Sequence, residues 1–267
     1  MTFIDAFWLG LTQGLTEFIP VSSSGHLQIV RRLIDDDLGN FHLFLEFINL
    51  GTLLALIFFY RHRIKAIFRQ IFHEHDYRFA INVILTSLPV ATIGLIFSKF
   101  IENTPFFSYM AVIATMMALV GVLMINVDKL PKLSRLKDET KLTKKRALAI
   151  GCAQVFALIP GTSRSGTTIV AGRLVGLDSR AAAEYSFLAS IPLMCGVVLK
   201  SFISGDSSAF IMENLPTLIF SNIVAFLVGL AAIHLVMNFL KKPHSLKVFG
   251  WYRVVIAAIV IIFKLIQ

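Results

Sequence analysis

A chain of 267 residues that is 56% hydrophobic and only 15% charged, with a mean hydropathy of +0.77, falls outside the range of soluble domains, which are about one-quarter charged. The formal charge of +9 suits either nucleic acid or an anionic membrane surface. Charge-free runs over 79–98, 103–127 and 215–240 decide for the membrane, since each reaches the roughly 20 apolar residues that cross a hydrocarbon core.

The amino terminus, MTFIDAFWLG, has no basic n-region and no small-residue cleavage site, so no removable signal peptide is expected. An apolar stretch over 3–34 follows, interrupted by Pro20 and a Ser/Gly cluster. Spans are then expected near 43–60, 79–98 and 106–127. A second interrupted stretch occupies 147–180, and spans near 186–203, 218–240 and 252–266 complete the chain. Lys and Arg gather in three connections, Arg61–Arg78, Asp128–Arg146 (eight basic residues against three acidic) and Lys241–Lys247. The connections Lys99–Pro105 and Lys200–Pro216 are poor in positive charge and carry Glu102, Asp206 and Glu213. By the positive-inside rule the first group is cytoplasmic and the second external. Each interrupted stretch must then return to the side it left, as re-entrant helices do where protein or a wet cavity satisfies the irregular backbone. Arg31 and Arg32 fit this map poorly, being placed outside, with Asp35, Asp36 and Asp37 as a partial offset. Cys152 and Cys195 lack metal-ligand spacing and read as buried, reduced thiols.

The two interrupted stretches resemble each other. QGLTEFIPVSSSGHLQIVRRL from Gln13 and QVFALIPGTSRSGTTIVAGRL from Gln154 share Ile-Pro, Ser-x-Ser-Gly, Ile-Val and Arg-Leu. The following segments match as well, one holding Glu46 and the other Glu184. With opposite orientations from the loop charges, the halves form an inverted-topology repeat, in which polar sites arise where two broken helices meet. The expected fold is an all-α polytopic membrane protein with six transmembrane helices and two re-entrant hairpins. It is a single integral domain over 1–267, with halves of about 1–127 and 147–267 joined by the basic loop 128–146.

Glu17 and His26 are ionisable groups in an apolar setting beside Ser22, Ser23 and Ser24, where function is the default reading. Gln13 and Glu17, four apart, share a helix face and offer oxygen ligands to Mg²⁺ or Ca²⁺, although a packed helix pair would show the same spacing. In the second copy, Pro160-Gly-Thr-Ser-Arg-Ser-Gly-Thr-Thr168 reads as a tight turn opening a helix, a phosphate-binding arrangement. Arg164 adds a forked cationic donor set, and Ser163, Ser165, Thr167 and Thr168 add hydroxyls. Small residues for close helix packing would explain the Gly and Ser but not the Arg. His26 is a candidate acid, base or nucleophile, and Ser22 and Ser23 are candidate nucleophiles beside it.

At these residues the sequence resembles the undecaprenyl-diphosphate phosphatase family, also known for bacitracin resistance. GLTQGLTEFIPVSSSGH is similar to its first motif and PGTSRSG followed by TT to its second, and the likeness runs the full length. The resemblance implies hydrolysis of undecaprenyl diphosphate, recycling the lipid carrier for cell-wall synthesis, in the bacterial inner membrane with the site facing the periplasm or exterior. It implies Gln13 and Glu17 as metal- or diphosphate-handling residues, Ser22, Ser23 and His26 as a catalytic loop, and Ser163, Arg164, Ser165 and Thr168 as the phosphate cradle. Many members carry Glu where this chain has Gln13, one negative charge more. Among the candidate nucleophiles Ser23 is preferred, with His26 assisting, and Glu46 and Glu184 are expected to support the site by orienting Arg164 or His26.

Other residues are discounted: His73 and His75 as surface histidines, and His234 as a satisfied histidine within the bundle. The basic loops are read as topology determinants and anionic-lipid contacts, with no nucleic-acid partner. Partners are the bilayer and a polyprenyl diphosphate lipid, with homo-oligomerisation left open. A lipid-phosphate transporter is the chief rival, since inverted repeats are its usual architecture, but transport does not require His26 beside the serines. An intramembrane serine protease fits poorly with Arg164 in a phosphate-type turn. A non-catalytic scaffold leaves the polar midplane groups unexplained.

Overall fold

Backbone groups shielded from water must pair within their own segment, and the apolar runs accordingly fold as helices. The computed structural model describes residues 1–34, 41–129, 136, 138–203, 207–242 and 244–266. Its helices are α1 (Phe3–Phe18), α2 (Ser23–Ile34), α3 (Phe41–Phe59), α4 (Arg61–Phe72), α5 (Arg78–Asn103), α6 (Met110–Asn126), α7 (Lys144–Gln154), α8 (Arg164–Leu174), α9 (Ser179–Ile203), α10 (Ser207–Phe239) and α11 (Ser245–Ile266). Among the described residues the only β-type pairing is an isolated bridge between Leu136 and Leu177.

Among the described residues four segments are long and apolar enough to cross a membrane: Arg78–Phe97, Ser179–Phe202, Phe210–Phe239 and Ser245–Phe263. α3 makes a fifth when joined to α4, from which it is bent by 71°. α6 is apolar but, at 17 residues, shorter. Large apolar side chains face outward, Leu95 and Met212 being 81% exposed, which only a hydrocarbon solvent makes inexpensive. The protein is thus an all-α membrane protein with four or five helices of spanning length among the described residues, against the six spans expected.

Helix ends differ from the apolar runs. Arg61–Arg78, expected as a connection, contains α4, whose outward face interleaves Lys65 and Arg69 with Phe68 and Phe72. The expected connection Lys200–Pro216 is largely helical, with Pro216 inside α10, where Asn214 and Thr217 hydrogen-bond to carbonyls of their own helix. α9 starts at Ser179, where the Asp178 carboxylate accepts from the Ala181 N–H as a cap does. Polar residues that bond locally let a helix outrun its apolar stretch. Asp35, Asp36, Asp37 and Asp206 lie outside the described residues, and the Arg31 guanidinium sits 4.7 Å above the Phe41 ring. Cys195 is half-buried, whereas Cys152 is exposed on the outer face of α7, not buried as expected.

The three basic stretches meet at one end of the bundle. Arg63 of α4 bonds to Glu139 at 2.8 Å, and Asp128 accepts from both Arg173 at 2.6 Å and His244 at 3.0 Å. Leu136 exchanges backbone hydrogen bonds with Gly176 and Asp178, so α8 ends beside the stretch that leads into α7. At the opposite end Met1, Val30, Ile34, Phe41 and Phe210 share one apolar cluster, so α1 begins where α2 finishes.

Helix packing follows an exchange pattern. α1 packs on α10 and α7 on α5, while α3 pairs with α9 and α6 with α11. The α6–α11 seam is closest where Gly121 faces Gly250. A Cβ on Gly250 would stand 2.6 Å from the Gly121 carbonyl oxygen, and one on Gly121 would stand 2.8 Å from the Gly250 oxygen. Gly250→Leu should therefore lower the melting temperature in detergent, by a cost of roughly 1–3 kcal/mol for overpacking. Gly196→Leu, at a position with open space around it, should leave it unchanged. Equal melting of both variants would refute the tight seam.

Candidate active site

Two turns of like construction carry the site. α1 stops at Phe18 because Pro20 removes a backbone donor and forces the preceding residue into extended geometry, as Ile19 is at ψ 128°. The chain reverses through Ser22, at φ 80°, into α2. After α7, the sequence Pro160-Gly161-Thr162-Ser163 reverses through Gly161, at φ 90°, and Ser163, at φ 73°, into α8. Gly161 has no alternative, because a Cβ there would lie 2.3 Å from the Ile113 carbonyl oxygen. Ser22 and Ser163 hold matching repeat positions, and each places a residue other than glycine at a positive φ that costs of order 1–3 kcal/mol. Each Oγ accepts from the N–H three residues on, Gly25 at 3.4 Å and Gly166 at 3.1 Å. Each also lies 3.3 Å from the hydroxyl two residues on, Ser24 or Ser165.

The next pair of matching positions, Ser23 and Arg164, converges on one carboxylate. Glu17 Oε2 accepts from Ser23 Oγ at 2.6 Å, and Glu17 Oε1 accepts from Arg164 Nη2 at 2.7 Å. Gln13 Nε2 donates to Glu17 at 3.2 Å and to Asn49 of α3 at 3.0 Å. The turns also interlock directly. Gly161 N–H donates to Ser24 Oγ at 3.4 Å, and Ser165 Oγ donates to the Glu17 carbonyl at 3.3 Å. Two buried polar atoms of the second turn, Arg164 Nη1 and Thr162 Oγ1, have no hydrogen-bond partner among the described residues.

His26 stands on the first turn of α2, three residues from Ser23 and so on the same face. Its Nδ1 is 2.7 Å from the Ser22 carbonyl, and its Nε2 is 2.9 Å from the Tyr252 hydroxyl of α11. Arg253, the next residue, is fully buried. Its guanidinium donates to Pro20 O at 3.3 Å in the first turn, to Gly161 O at 2.9 Å and Thr162 O at 3.0 Å in the second, and to Met117 O at 3.1 Å in α6.

The family model described as bacitracin resistance protein BacA matches residues 6–259. The chain belongs to this family. It is 36% identical to an undecaprenyl-diphosphatase of Acinetobacter baumannii over 262 residues, covering 97% of this chain and 94% of the relative. It is 38% identical to an undecaprenyl-diphosphatase of Enterococcus faecalis, covering 96% and 95%. An undecaprenyl-diphosphatase 2 of Shewanella oneidensis is 35% identical, with 97% of both chains covered.

Within this BacA-family chain the structure brings together Gln13, Glu17, Ser22, Ser23, His26, Ser163, Arg164 and Ser165. Several contacts differ from those expected. Ser23 donates to Glu17, and the His26 nitrogens are engaged by Ser22 and Tyr252, so the resting proton acceptor of Ser23 is the carboxylate. Gln13 turns its amide nitrogen to Glu17, because a carboxylate attracts the donor end. Thr168 faces the Ser186 hydroxyl and the Arg164 carbonyl within its own helix, away from Glu17. Glu46 pairs with Ser201 at 2.8 Å and Lys200 at 3.8 Å, and Glu184 has Glu139, Arg63, Arg180 and Asp138 as its charged neighbours. Neither glutamate meets Arg164 or His26, since matching repeat positions need not face the same side of two helices. His234, discounted above, bonds to Asn238 at 2.9 Å on an exposed face.

Tyr252 and Arg253 were missed by sequence reasoning. An Arg inside the apolar helix that closes the chain was the available signal. Because Arg253 satisfies carbonyls of both turns, Arg253→Met should cost roughly 3 kcal/mol or more, on the scale of several orphaned buried acceptors. Arg164→Met, which strips one bond from Glu17, should cost less. Thermal unfolding of both variants in one detergent checks the ranking, and the reverse order would refute it.

Proposed function

We propose that the protein is a membrane-embedded phosphatase that hydrolyses undecaprenyl diphosphate to undecaprenyl phosphate and inorganic phosphate. The observation that carries this reading is the buried, unpartnered arm of Arg164, beside a Glu17–Ser23 pair and at the opening of a helix. A guanidinium arm without a partner is suited to a phosphate oxygen, which accepts a forked donor. Membership of a family whose named relatives are undecaprenyl-diphosphatases supplies the substrate.

The architecture proposed for this activity is an inverted repeat of six spans, α3, α5, α6, α9, α10 and α11, with α1–α2 and α7–α8 as re-entrant hairpins. Support comes from a partial exchange pattern: α1–α10 answers α7–α5, α10–α3 answers α5–α9 and α1–α2 answers α7–α8, while α3–α9 and α6–α11 map onto themselves; the α8–α9 packing has no equal between α2 and α3. The whole chain acts as one domain in the bacterial inner membrane, its basic end cytoplasmic and its site toward the periplasm or exterior. Release of the monophosphate carrier for further cell-wall synthesis would give resistance to bacitracin.

In the reaction proposed, Ser23 Oγ attacks the terminal phosphorus and passes its proton to Glu17 as the bridging P–O bond breaks and the prenyl monophosphate leaves. Water then attacks the phosphoserine and gives a proton to His26 Nε2, while Glu17 returns its proton to the departing Ser23 Oγ, so that inorganic phosphate leaves with Ser23 and Glu17 restored and His26 releases its proton to solvent. Arg164, with Ser163 and Ser165 shaping its turn, holds the phosphoryl oxygens, because phosphoryl transfer asks mainly for positioning and charge neutralisation. Among the described residues no three His, Cys, Asp or Glu side chains gather. The donor set of one carboxylate, an amide and hydroxyls fits a hard cation that draws its other ligands from the diphosphate. Glu17, with Gln13 once its amide turns the oxygen in place of the nitrogen toward the carboxylate, would hold Mg²⁺ or Ca²⁺, which would neutralise charge on the phosphates.

Phosphate release by purified protein from undecaprenyl diphosphate should depend on divalent cation and fall to background in Glu17→Ala. Arg164→Ala should mainly raise KM, and His26→Ala should mainly lower kcat, by ~10²-fold, the scale of removing one positioned acid–base group. A folded preparation that binds the lipid yet releases no phosphate would overturn the phosphatase and favour lipid-phosphate transport, to be tested in vesicles.

A further inference from the structure

Tyr252 of α11 meets His26 directly, and its placement is fixed from two sides. Two residues before it, Gly250 sets α11 flush against α6, where any side chain would collide with the Gly121 carbonyl. One residue after it, Arg253 is bonded to both turns. Between these anchors the Tyr252 ring lies nearly parallel to the imidazole, with centroids 5.6 Å apart and planes 8° from parallel. The hydroxyl meets Nε2 at 2.9 Å.

The direction of that hydrogen bond follows from the other ring nitrogen. A carbonyl oxygen only accepts, so Nδ1, at 2.7 Å from Ser22 O, carries the hydrogen. In the neutral ring Nε2 is then the acceptor, and the tyrosine hydroxyl donates to it. The lone pair needed for proton transfer is thereby directed by a group on a different helix from the turn that supports the ring.

We propose that Tyr252 is a positioning residue: its hydroxyl holds the His26 ring by Nε2, keeps that nitrogen an acceptor in the resting site, and yields it when the phosphorylated site takes up water. This rests on the proton-transfer role given to His26 above. Neither residue changes covalently in this role. The hydroxyl trades one acceptor for another, and no co-reactant is needed. The ring contact with His26 is distinct from the hydrogen bond, so the two can be separated by substitution.

Tyr252→Phe keeps the ring and removes only the hydroxyl. In the full-length protein in detergent it should melt with wild type, lower kcat about tenfold (the scale of one hydrogen bond) and leave KM within about twofold. Combined with His26→Ala it should lower kcat no further than His26→Ala alone. The ¹⁵N resonance of His26 Nε2, assigned by its absence from His26→Ala, should move in Tyr252→Phe toward that of an unbonded imidazole nitrogen. Wild-type kcat together with an unmoved resonance would overturn the proposal, as would full additivity of the two substitutions. If His26→Ala alone kept full turnover, the proton-transfer role would fall instead, and the nitrogen resonance would still decide whether the hydroxyl holds the ring.

Discussion

Two loops of irregular backbone, buried in an apolar bundle, present carbonyl oxygens that no helix accommodates and no solvent reaches. Arg253 answers that constraint. One guanidinium spans the carbonyls of Pro20, Gly161 and Thr162, and a fourth bond to Met117 ties the assembly to α6. A buried cation facing only dipoles is costly in isolation. It is tolerated here because the turn carbonyls it serves, those of Pro20, Gly161 and Thr162, would otherwise be orphaned in a low-dielectric setting. The paired hairpins, the convergence on Glu17 and the placement of Tyr252 all depend on the turns being held together.

Around that fixed point the duplicated turns have diverged at single positions while keeping their frame. Ser22 and Ser163 share their conformation and bonds to the third residue on, and His26 and Thr167 both reach back to the carbonyl four residues earlier. Ser23 and Arg164 differ in chemistry but approach opposite oxygens of Glu17. One copy thus supplies a hydroxyl and the other a cation, to a carboxylate present in the first copy alone. The two turns share a backbone frame and differ in what fills it, so that each oxygen of Glu17 meets a different group.

Much of this was legible in the sequence, and the reasons are physical. Long charge-free runs become helices in lipid whatever their detailed order, and Ile-Pro followed by Ser-x-Ser-Gly can scarcely continue a helix. The partnership of Glu17 with Gln13 was readable from helical spacing. α4 was not legible, since its basic residues are those of a typical cytoplasmic connection and only the structure shows the bend from α3. The roles of Tyr252 and Arg253 were hidden for another reason. An aromatic and an Arg at the head of an apolar helix ordinarily mark a membrane interface. Their partners lie 226 and 233 residues earlier in the chain, at His26 and Pro20, a separation at which local pattern can mark the Arg as unusual but cannot name what it meets. Glu46 and Glu184 show the converse: matching positions in a repeat fix sequence equivalence, not a shared neighbourhood.

The separation of Glu17 from Arg164 by 147 residues bears on biosynthesis. At ordinary translation rates, on the order of ten seconds pass between synthesis of the acid and of its cation. During that interval the first hairpin carries a carboxylate that has no counter-ion and cannot settle in hydrocarbon without expense. The nascent hairpin is therefore best kept at the lipid–water boundary, or neutralised by a proton, until α8 emerges. Full seating waits longer still, for an arginine 233 residues beyond Pro20, so that a segment made early is among the last to be locked in place.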